Sequence, residues 1–393
     1  MEELAQQINA VDKELLTEIV REVLGDGMAE VIEWSFEEVG TAGVPSTGGI
    51  YRFSGDARIG SDRMRWSVFL KVLVWADLSE RFGSDLAADP QSALYWKREA
   101  LFYESDIFDR WDGDFVPAQC YRVDVRDKDS IWLWLEDVTD EGQWDLERHI
   151  LSARHHGEMN GAFVGTRANS IFARDFVSQF MHLGTPPDLE SIKDAKVWES
   201  KAVQRTFPEL TADRLYNLLA NSKSFLDRVP PQPLTLSHQD CDRRNLFSQT
   251  RADGKIQTVA IDWGFVGLAP VGEDLGNQVF GNVMFLRVDP SLFNIYYDSA
   301  FDVFLHGLRD AGWSGDENAV RLAAACYAMT YFVFVPRIVR GIAEENGFPP
   351  SYRRSGWYAG GYSDEDMLEN AGIAIEVTLD VVENAYRMVG IIS

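Results

Sequence analysis

A short polar segment in the second half of the chain places acidic, amide and imidazole side chains close together. It reads SHQDCDRRN over residues 237–245, and a nearby apolar run ends at Ile261 and is followed by Asp262. Mg²⁺ prefers oxygen ligands, with one or two carboxylates and the remaining positions left for water and phosphate. Asn245 and Asp262 are therefore candidate Mg²⁺ ligands. Asp240 is then left to accept a proton from an attacking hydroxyl.

Three motifs in this region, in order and at the expected separations, resemble the aminoglycoside/choline-kinase-type branch of the protein-kinase-like fold. The catalytic-loop pattern His-x-Asp-x-x-x-x-Asn is matched by His238, Asp240 and Asn245. The metal-binding pattern is matched by Ile261-Asp262-Trp263, and the tail Gly-x-x-Pro-x-x-x-Asp-Leu by Gly267, Pro270, Asp274 and Leu275. Each pattern alone is weak, whereas the three together are specific.

The resemblance covers roughly residues 35–280 and implies further site residues upstream. A Lys on the third strand should hold nucleotide phosphates, and Lys71 stands in the apolar run FLKVL. A Glu on the following helix should orient it, with Glu99 as the candidate and Glu104 as its competitor. The remaining nucleotide-binding candidates are Ser46, Thr47 and Gly48 for the phosphates, and a hinge over 136–138, with Glu136 and Val138, for the adenine.

Some features depart from the protein-kinase pattern. Residues 40–49 are not a Gly-x-Gly-x-x-Gly loop, although Ser46-Thr47-Gly48-Gly49 offers backbone N–H groups and hydroxyls to phosphate. Residue 239 is Gln where small-molecule members of the family often have Gly, so we expect a differently shaped catalytic loop. No Ala-Pro-Glu segment follows Asp262, which favours a constitutively assembled small-substrate enzyme over a regulated protein kinase.

The elements that must position these residues change in character along the chain. A helix is predicted over 11–24, strands over 31–39, 50–53 and 66–74, a helix over 93–107, and strands over 118–124 and 130–135. Helical periodicity dominates afterwards, apart from a β-rich island over 234–267. We therefore predict an α+β, bilobal protein-kinase-like fold. Residues 1–137 would form a small β-rich nucleotide-binding lobe, and residues 138–393 a larger helical lobe with the acceptor pocket.

Composition narrows the choice of partners. The 393 residues carry 37 Lys+Arg against 62 Asp+Glu, a net charge of −25, so nucleic acid and membrane surfaces are excluded as expected partners. Three scattered cysteines do not suit a disulfide framework. The longest apolar stretch, 322–336, is too short to span a bilayer. We expect a cytoplasmic monomer or homodimer.

The resulting hypothesis is an O-phosphotransferase that uses ATP, with GTP possible, and Mg²⁺. Its acceptor would be a small hydroxylated, cationic molecule such as an aminoglycoside, amino sugar or amino alcohol. Two alternatives stay open: a kinase acting on Ser/Thr of a peptide in natural-product maturation, and an inactive regulatory module that retains the fold and either binds nucleotide or does not.

Four further residues carry expectations about the catalytic loop and its surroundings. His238 is expected to brace the loop rather than to do chemistry. Asp274 is expected to cap a helix. Asp242 either holds a cationic group of the acceptor or pairs with Arg243 or Arg244. The pair His155-His156 is expected at the surface, because no metal partner stands at helical spacing.

Overall fold

The computed structural model describes residues 2–40, 46–76, 78–79, 85–166, 173–183, 189–354 and 358–392. Two helices open the chain, α1 (Glu2–Asn9) and α2 (Lys13–Leu24). The Asp12 side chain caps the start of α2, and Gly25, at φ 62°, ends it. The buried stripe of α2 is Leu16, Ile19 and Val20. The predicted helix over 11–24 is thus confirmed.

A five-stranded antiparallel sheet dominates the first part of the chain. Its strands are β1 (Glu30–Gly40), β2 (Thr47–Ile59), β3 (Asp62–Val74), β5 (Cys120–Val125) and β6 (Ser130–Glu136), in the order β1-β2-β3-β6-β5. Side chains alternate between the two faces of a strand. Val68, Leu70 and Val72 pack with the N-terminal helices. Lys71 consequently points to the opposite face, in the interior of the sheet.

The helix between β3 and β5, α3 (Arg98–Tyr103), is shorter than the predicted 93–107. The residues before it are held as an irregular segment by the buried guanidinium of Arg98. This group donates hydrogen bonds to the carbonyls of Pro90, Ser92 and Ala93. Those carbonyls are thereby satisfied without a helix, which explains why the amphipathic pattern begins before the helix does.

The remainder of the described chain is mostly helical. Its helices are α4 (Leu146–Ala162), α5 (Phe176–Leu183), α6 (Leu189–Ile192), α7 (Ala195–Trp198), α8 (Lys201–Thr206), α9 (Ala212–Ala220), α10 (Ser222–Arg228), α11 (Glu273–Met284), α12 (Phe293–Asp310), α13 (Glu317–Tyr331), α14 (Val335–Glu345), α15 (Pro350–Arg354) and α16 (Asp364–Met388). Their apolar faces form one large core. The β-rich start and helical remainder confirm the predicted α+β fold class.

Two small sheets join the parts of the β-rich island. Strands β4 (Phe115–Pro117), β9 (Leu246–Thr250) and β10 (Ile256–Ala260) form one, and β7 (Ala173–Arg174), β8 (Leu234–Ser237) and β11 (Gly267–Pro270) form the other. β4 pairs in parallel with β10, so a strand from before residue 137 lies in a sheet with strands from after it. The lobe boundary at 137/138 stays a prediction.

One stretch of the described residues, 317–345, is apolar and long enough to cross a membrane by length and composition alone. Within its most apolar window, 78% of the residues are buried against the rest of the chain. The helix is interrupted within this stretch, between the end of α13 and the start of α14, and Pro336 stands in the first turn of α14. Core helices of globular proteins pass the same test, so this finding is weak support for a membrane span.

Candidate active site

Lys71, Glu99 and Asp262 meet at the inner face of the sheet. The Lys71 ammonium lies 2.6 Å from Glu99 Oε2 and 2.6 Å from Asp262 Oδ1. Burial alone would lower the pKa of Lys71, but the two carboxylates outweigh it and raise that pKa. Of the two candidate glutamates, Glu99 rather than Glu104 makes this contact. The Lys predicted to hold phosphate and the Asp predicted to bind metal, distant in sequence, therefore share one site.

The two acids of this triad are in different electrostatic situations. Burial raises the pKa of Glu99, whereas the Lys71 ammonium holds the pKa of Asp262 low despite its burial. Asp262 also has a left-handed backbone, with φ 62° and ψ 60°. This conformation turns the chain out of β10 into a short 3₁₀ helix over 263–265. The triad carries two acids against one base, so its charge favours a further cation.

The candidate base, Asp240, is held in place by Asn245. The Asn245 amide donates to the Asp240 backbone carbonyl at 2.7 Å and to Asp240 Oδ2 at 2.9 Å. Burial, followed by the negative charge of Asp242, raises the pKa of Asp240 to about 7, while Arg244 and Asn245 act in the opposite direction. Asp240 is thus a carboxylate whose proton affinity suits proton transfer near neutral pH.

His238 braces the catalytic loop, as expected. Its Nε2 lies 2.9 Å from the Ile261 carbonyl, and its Nδ1 accepts the Asp240 backbone N–H at 3.2 Å. Burial lowers the pKa of His238 to about 4, so the ring is neutral at physiological pH. The ring therefore couples the Asp240 loop to the segment that carries Asp262.

Asp274 is not the helix cap that its sequence position suggested. The capping position of α11 is Gly272, and the buried Asp274 carboxylate instead reaches back to the catalytic loop. It accepts the backbone N–H groups of His238 at 3.0 Å and Gln239 at 2.9 Å. These contacts hold Gln239 at φ 68°, a left-handed conformation that favours Gly. This explains why Gly suits position 239 in related sequences.

The expectation that His155 and His156 lie at the surface is wrong. Both are buried; His156 Nε2 lies 2.9 Å from Asp274 Oδ2, and His155 Nδ1 lies 3.0 Å from Thr258 Oγ1. The acid that pairs with His156 is 118 residues away in the chain. No local spacing can reveal such a partner.

Asp242 pairs with Arg244 and does not face an acceptor. The side chain of Asp242 is 1% exposed, and its Oδ1 accepts the Arg244 backbone N–H at 2.9 Å. Arg244 Nε lies 2.9 and 3.0 Å from the two Asp242 carboxylate oxygens. Of the two possibilities left open by the sequence, the ion pair is the one formed.

Beside the triad lies a small pocket, about 30 Å³ in volume. Its lining includes Ser46, Thr47, Lys71, Asp262 and the segment 93–96. The predicted Gly48 lies in the adjoining β2–β3 bulge, where a Cβ atom would come within 2.9 Å of a Val74 methyl. Its lack of a side chain thus serves packing on the outer face, and phosphate binding by its N–H stays a prediction.

The predicted hinge residues do not line the pocket beside Lys71. Glu136 accepts hydrogen bonds from Gln249 Nε2 at 3.0 Å and from the Gln119 backbone N–H at 3.2 Å. It lines a separate open groove of about 450 Å³, together with Asp137. Val138 is half-buried beyond it. The structure does not place either Glu136 or Val138 against the pocket at Lys71, and their contact with adenine stays a prediction.

Sequence reasoning missed Asp140, which connects the hinge to the catalytic loop. Its carboxylate pairs with Arg243 and accepts the Ser248 backbone N–H at 2.9 Å and the Trp144 indole N–H at 3.0 Å. An Asp in a polar connection carries no motif of its own. Its position two residues after the proposed hinge was the only available signal.

The donor set fits Mg²⁺. The amide nitrogen of Asn245 donates to Asp240. The amide oxygen, Oδ1, makes no hydrogen bond to any described residue and is available to a metal ion. Asp262 Oδ2 is likewise without a hydrogen bond from the described part of the chain, because Lys71 engages Oδ1. One amide oxygen and one carboxylate oxygen are hard ligands of the kind this ion prefers. Asn245 and Asp262 therefore suit the predicted metal-binding role.

Glu273 gives the site a testable pH dependence. Its buried carboxyl is 3.5 Å from Gln239 Nε2, and burial raises its pKa to about 8. The folded state therefore holds this proton more tightly than the unfolded state, and the resulting stabilisation is lost as the pH rises through about 8. We expect the free energy of unfolding between pH 6 and 9 to fall less in Glu273→Gln than in the wild type.

Urea unfolding at several pH values measures this difference. Glu199→Gln, at an exposed position, is the matched control and should follow the wild type. Parallel wild-type and Glu273→Gln curves would contradict the assigned shift.

A family model matches part of the chain. The family model described as "Phosphotransferase enzyme family" matches residues 174–308, the segment that contains Asp240, Asn245 and Asp262. This match agrees with the resemblance seen in the motifs and supports the predicted enzyme class, a small-molecule phosphotransferase. No curated protein matches the chain significantly.

Solved structures show more distant likenesses. A spectinomycin phosphotransferase, solved with ADP and spectinomycin, is 13% identical over 96% of this chain and 99% of that one, with a TM-score of 0.46. An amicoumacin kinase, solved with AMP-PNP and Ca²⁺, is 11% identical over 95% of both chains, with a TM-score of 0.48. A Plasmodium vivax ethanolamine kinase is 9% identical over 90% and 83%, with a TM-score of 0.43. No substrate follows from likeness at this level.

Proposed function

We propose that this protein transfers the γ-phosphate of ATP, or of GTP, to a hydroxyl group of a small molecule. The observation that carries the proposal is the meeting of Lys71 with Glu99 and Asp262, each at 2.6 Å. Burying an ammonium on a strand together with two acids is costly, and their pairing only offsets that cost, so an apolar side chain would serve packing better. In a phosphotransferase such an ammonium holds phosphate oxygens.

Each residue of the site has its own role in the proposed reaction. Lys71, oriented by Glu99, holds the α- and β-phosphates. Asn245 and Asp262 hold Mg²⁺, which when bound neutralises charge on the β- and γ-phosphates. Asp240 accepts the proton of the acceptor hydroxyl. Since His238 and Asp274 fix the loop before substrate arrives, Asp240 needs no large rearrangement to act.

The acceptor we propose is hydroxylated and cationic, such as an aminoglycoside, amino sugar or amino alcohol. The net charge of −25 supports this class, because an acidic protein raises the local concentration of cations. Asp242 does not contribute to their recognition, since Arg244 already neutralises it. Recognition therefore falls to other residues of the helical part.

Nucleotide binding tests this function directly. Thermal unfolding is measured with and without Mg²⁺-ATP and Mg²⁺-GTP, in the wild type and in Asp262→Asn. Nucleotide at 100 times its Kd should stabilise the wild type by about 2.7 kcal/mol. Asp262→Asn should lose that stabilisation, because a metal ligand is removed, whereas the exposed Asp227→Asn should retain it. Absence of a shift with either nucleotide would instead favour an inactive module.

A further inference from the structure

Arg244 lies directly beside the proposed base. Its Nη2 is 3.7 Å from Asp240 Oδ1, and its guanidinium carbon is 5.2 Å from the centre of the Phe285 ring. The buried Asp242 carboxylate holds the same guanidinium along the Nε–Nη2 edge. Three neighbours therefore fix the plane of this group at the point where an acceptor hydroxyl must approach Asp240.

The third nitrogen of the guanidinium, Nη1, is not held by these neighbours. Arg244 Nη1 makes no hydrogen bond to any residue that the structure describes, and the side chain is 30% exposed although its partner Asp242 is 1% exposed. A cation needed only to neutralise Asp242 would not have to keep part of its guanidinium exposed to solvent. Nη1 and the second N–H of Nη2 form a planar pair of donors, a geometry that matches two oxygens of a phosphoryl group.

The distances bring a phosphoryl group within reach of these donors. A base must lie within about 2.6–3.2 Å of the hydroxyl oxygen whose proton it takes. The attacked phosphorus lies about 3–3.5 Å from that oxygen in a reactive complex. Since Arg244 Nη2 is 3.7 Å from Asp240 Oδ1, its donors border the same small volume.

We propose that Arg244 contacts the phosphoryl group during transfer, from the acceptor side and opposite Lys71. The inference rests on the function proposed above. In that step the acceptor oxygen bonds to the γ-phosphorus and the bond from phosphorus to the bridging oxygen breaks. The nucleoside diphosphate leaves with that oxygen, and the hydroxyl proton passes to Asp240. Arg244 stabilises the charge on the equatorial oxygens throughout.

The test separates this role from simple neutralisation of Asp242. The variants are Arg244→Gln, Arg244→Lys and the double variant Asp242→Asn/Arg244→Gln, which replaces the ion pair by two neutral amides. Three quantities are measured for each: phosphate release from Mg²⁺-ATP with water as the acceptor, the Kd for Mg²⁺-ATP, and urea unfolding. Water serves as the probe because it needs no acceptor-binding contacts.

We expect Arg244→Gln to lower the rate of phosphate release on the order of 10³-fold, with an unchanged Kd for nucleotide. Arg244→Lys should be intermediate, because it keeps the charge but loses the planar pair of donors. The double variant should regain stability toward urea but not the rate. These results together would support the contact.

Two results would overturn the inference about Arg244 alone. Recovery of the rate in the double variant would show that Arg244 only neutralises Asp242. An unchanged rate in a folded Arg244→Gln protein would show that it contacts no reacting group. A wild type that fails to bind Mg²⁺-ATP would contradict the proposed function itself, and the inference with it.

Discussion

Asp240→Asn is expected to lower the rate of phosphoryl transfer by about 10²–10⁴-fold, the usual contribution of a positioned base. This corresponds to roughly 3–5 kcal/mol in the barrier. Asn has the shape of Asp but accepts no proton, and Asn245 can still hydrogen-bond to the residue 240 carbonyl. Nucleotide should therefore still bind. Steady-state kinetics and calorimetric titration with Mg²⁺-ATP measure the two effects separately.

The matched control for this variant is Asp253→Asn, which removes a carboxylate from a surface turn after β9. It should turn over as the wild type does. Near-wild-type turnover in Asp240→Asn would remove Asp240 from the role of base. Loss of nucleotide binding together with rate would indicate that the substitution had disturbed the metal ligands instead.

Asp274→Ala is expected to destabilise the fold by about 3–5 kcal/mol, the cost of removing one partner from a buried charged network. The carboxylate serves four donors: the backbone N–H groups of His238 and Gln239, His156 Nε2, and Asn160 Nδ2 at 3.2 Å. Alanine leaves these groups buried without an acceptor. Urea unfolding measures the loss, and turnover should fall as the loop loosens.

Asp274→Asn distinguishes hydrogen bonding from packing. It keeps the volume and one acceptor oxygen but turns an NH₂ group towards other donors, so its stability should lie between those of the wild type and Asp274→Ala. Equal stability of all three proteins would contradict the assigned network. Gln278→Ala, which removes the other neighbour of His156, should cost less, because its contact is longer, at 3.4 Å.

Several features of the site could be predicted from the sequence because local rules determine them. Period-2 alternation around Lys71 fixes which face of β3 it occupies, once its apolar neighbours are assigned to a core. The spacing between Asp240 and Asn245 permits the hydrogen bonds that one turn of the catalytic loop then makes. For Gln239 the sequence led us to expect a differently shaped loop, but it did not show that this residue takes the left-handed φ that favours Gly.

The pairings between distant residues could not be predicted in this way. The sequence contains His156, Asp274, Arg244 and Asp140, but nothing in their spacing shows which charge meets which. Burial decides these pairings, because a carboxylate that loses contact with water must accept hydrogen bonds from donors on the elements packed around it. Asp274 pairs with His156 on α4, and Asp140 pairs with Arg243.

The sequence by itself determined the α+β order of elements and the identity of the chemistry-bearing loop, since both depend on neighbours within about ten positions. The tertiary structure alone decided that α3 begins only at Arg98, that Asp242 is paired by Arg244, and that this arginine stays partly exposed beside Asp240. These outcomes depend on which groups lose access to water when the elements pack, and that is a property of the assembled molecule.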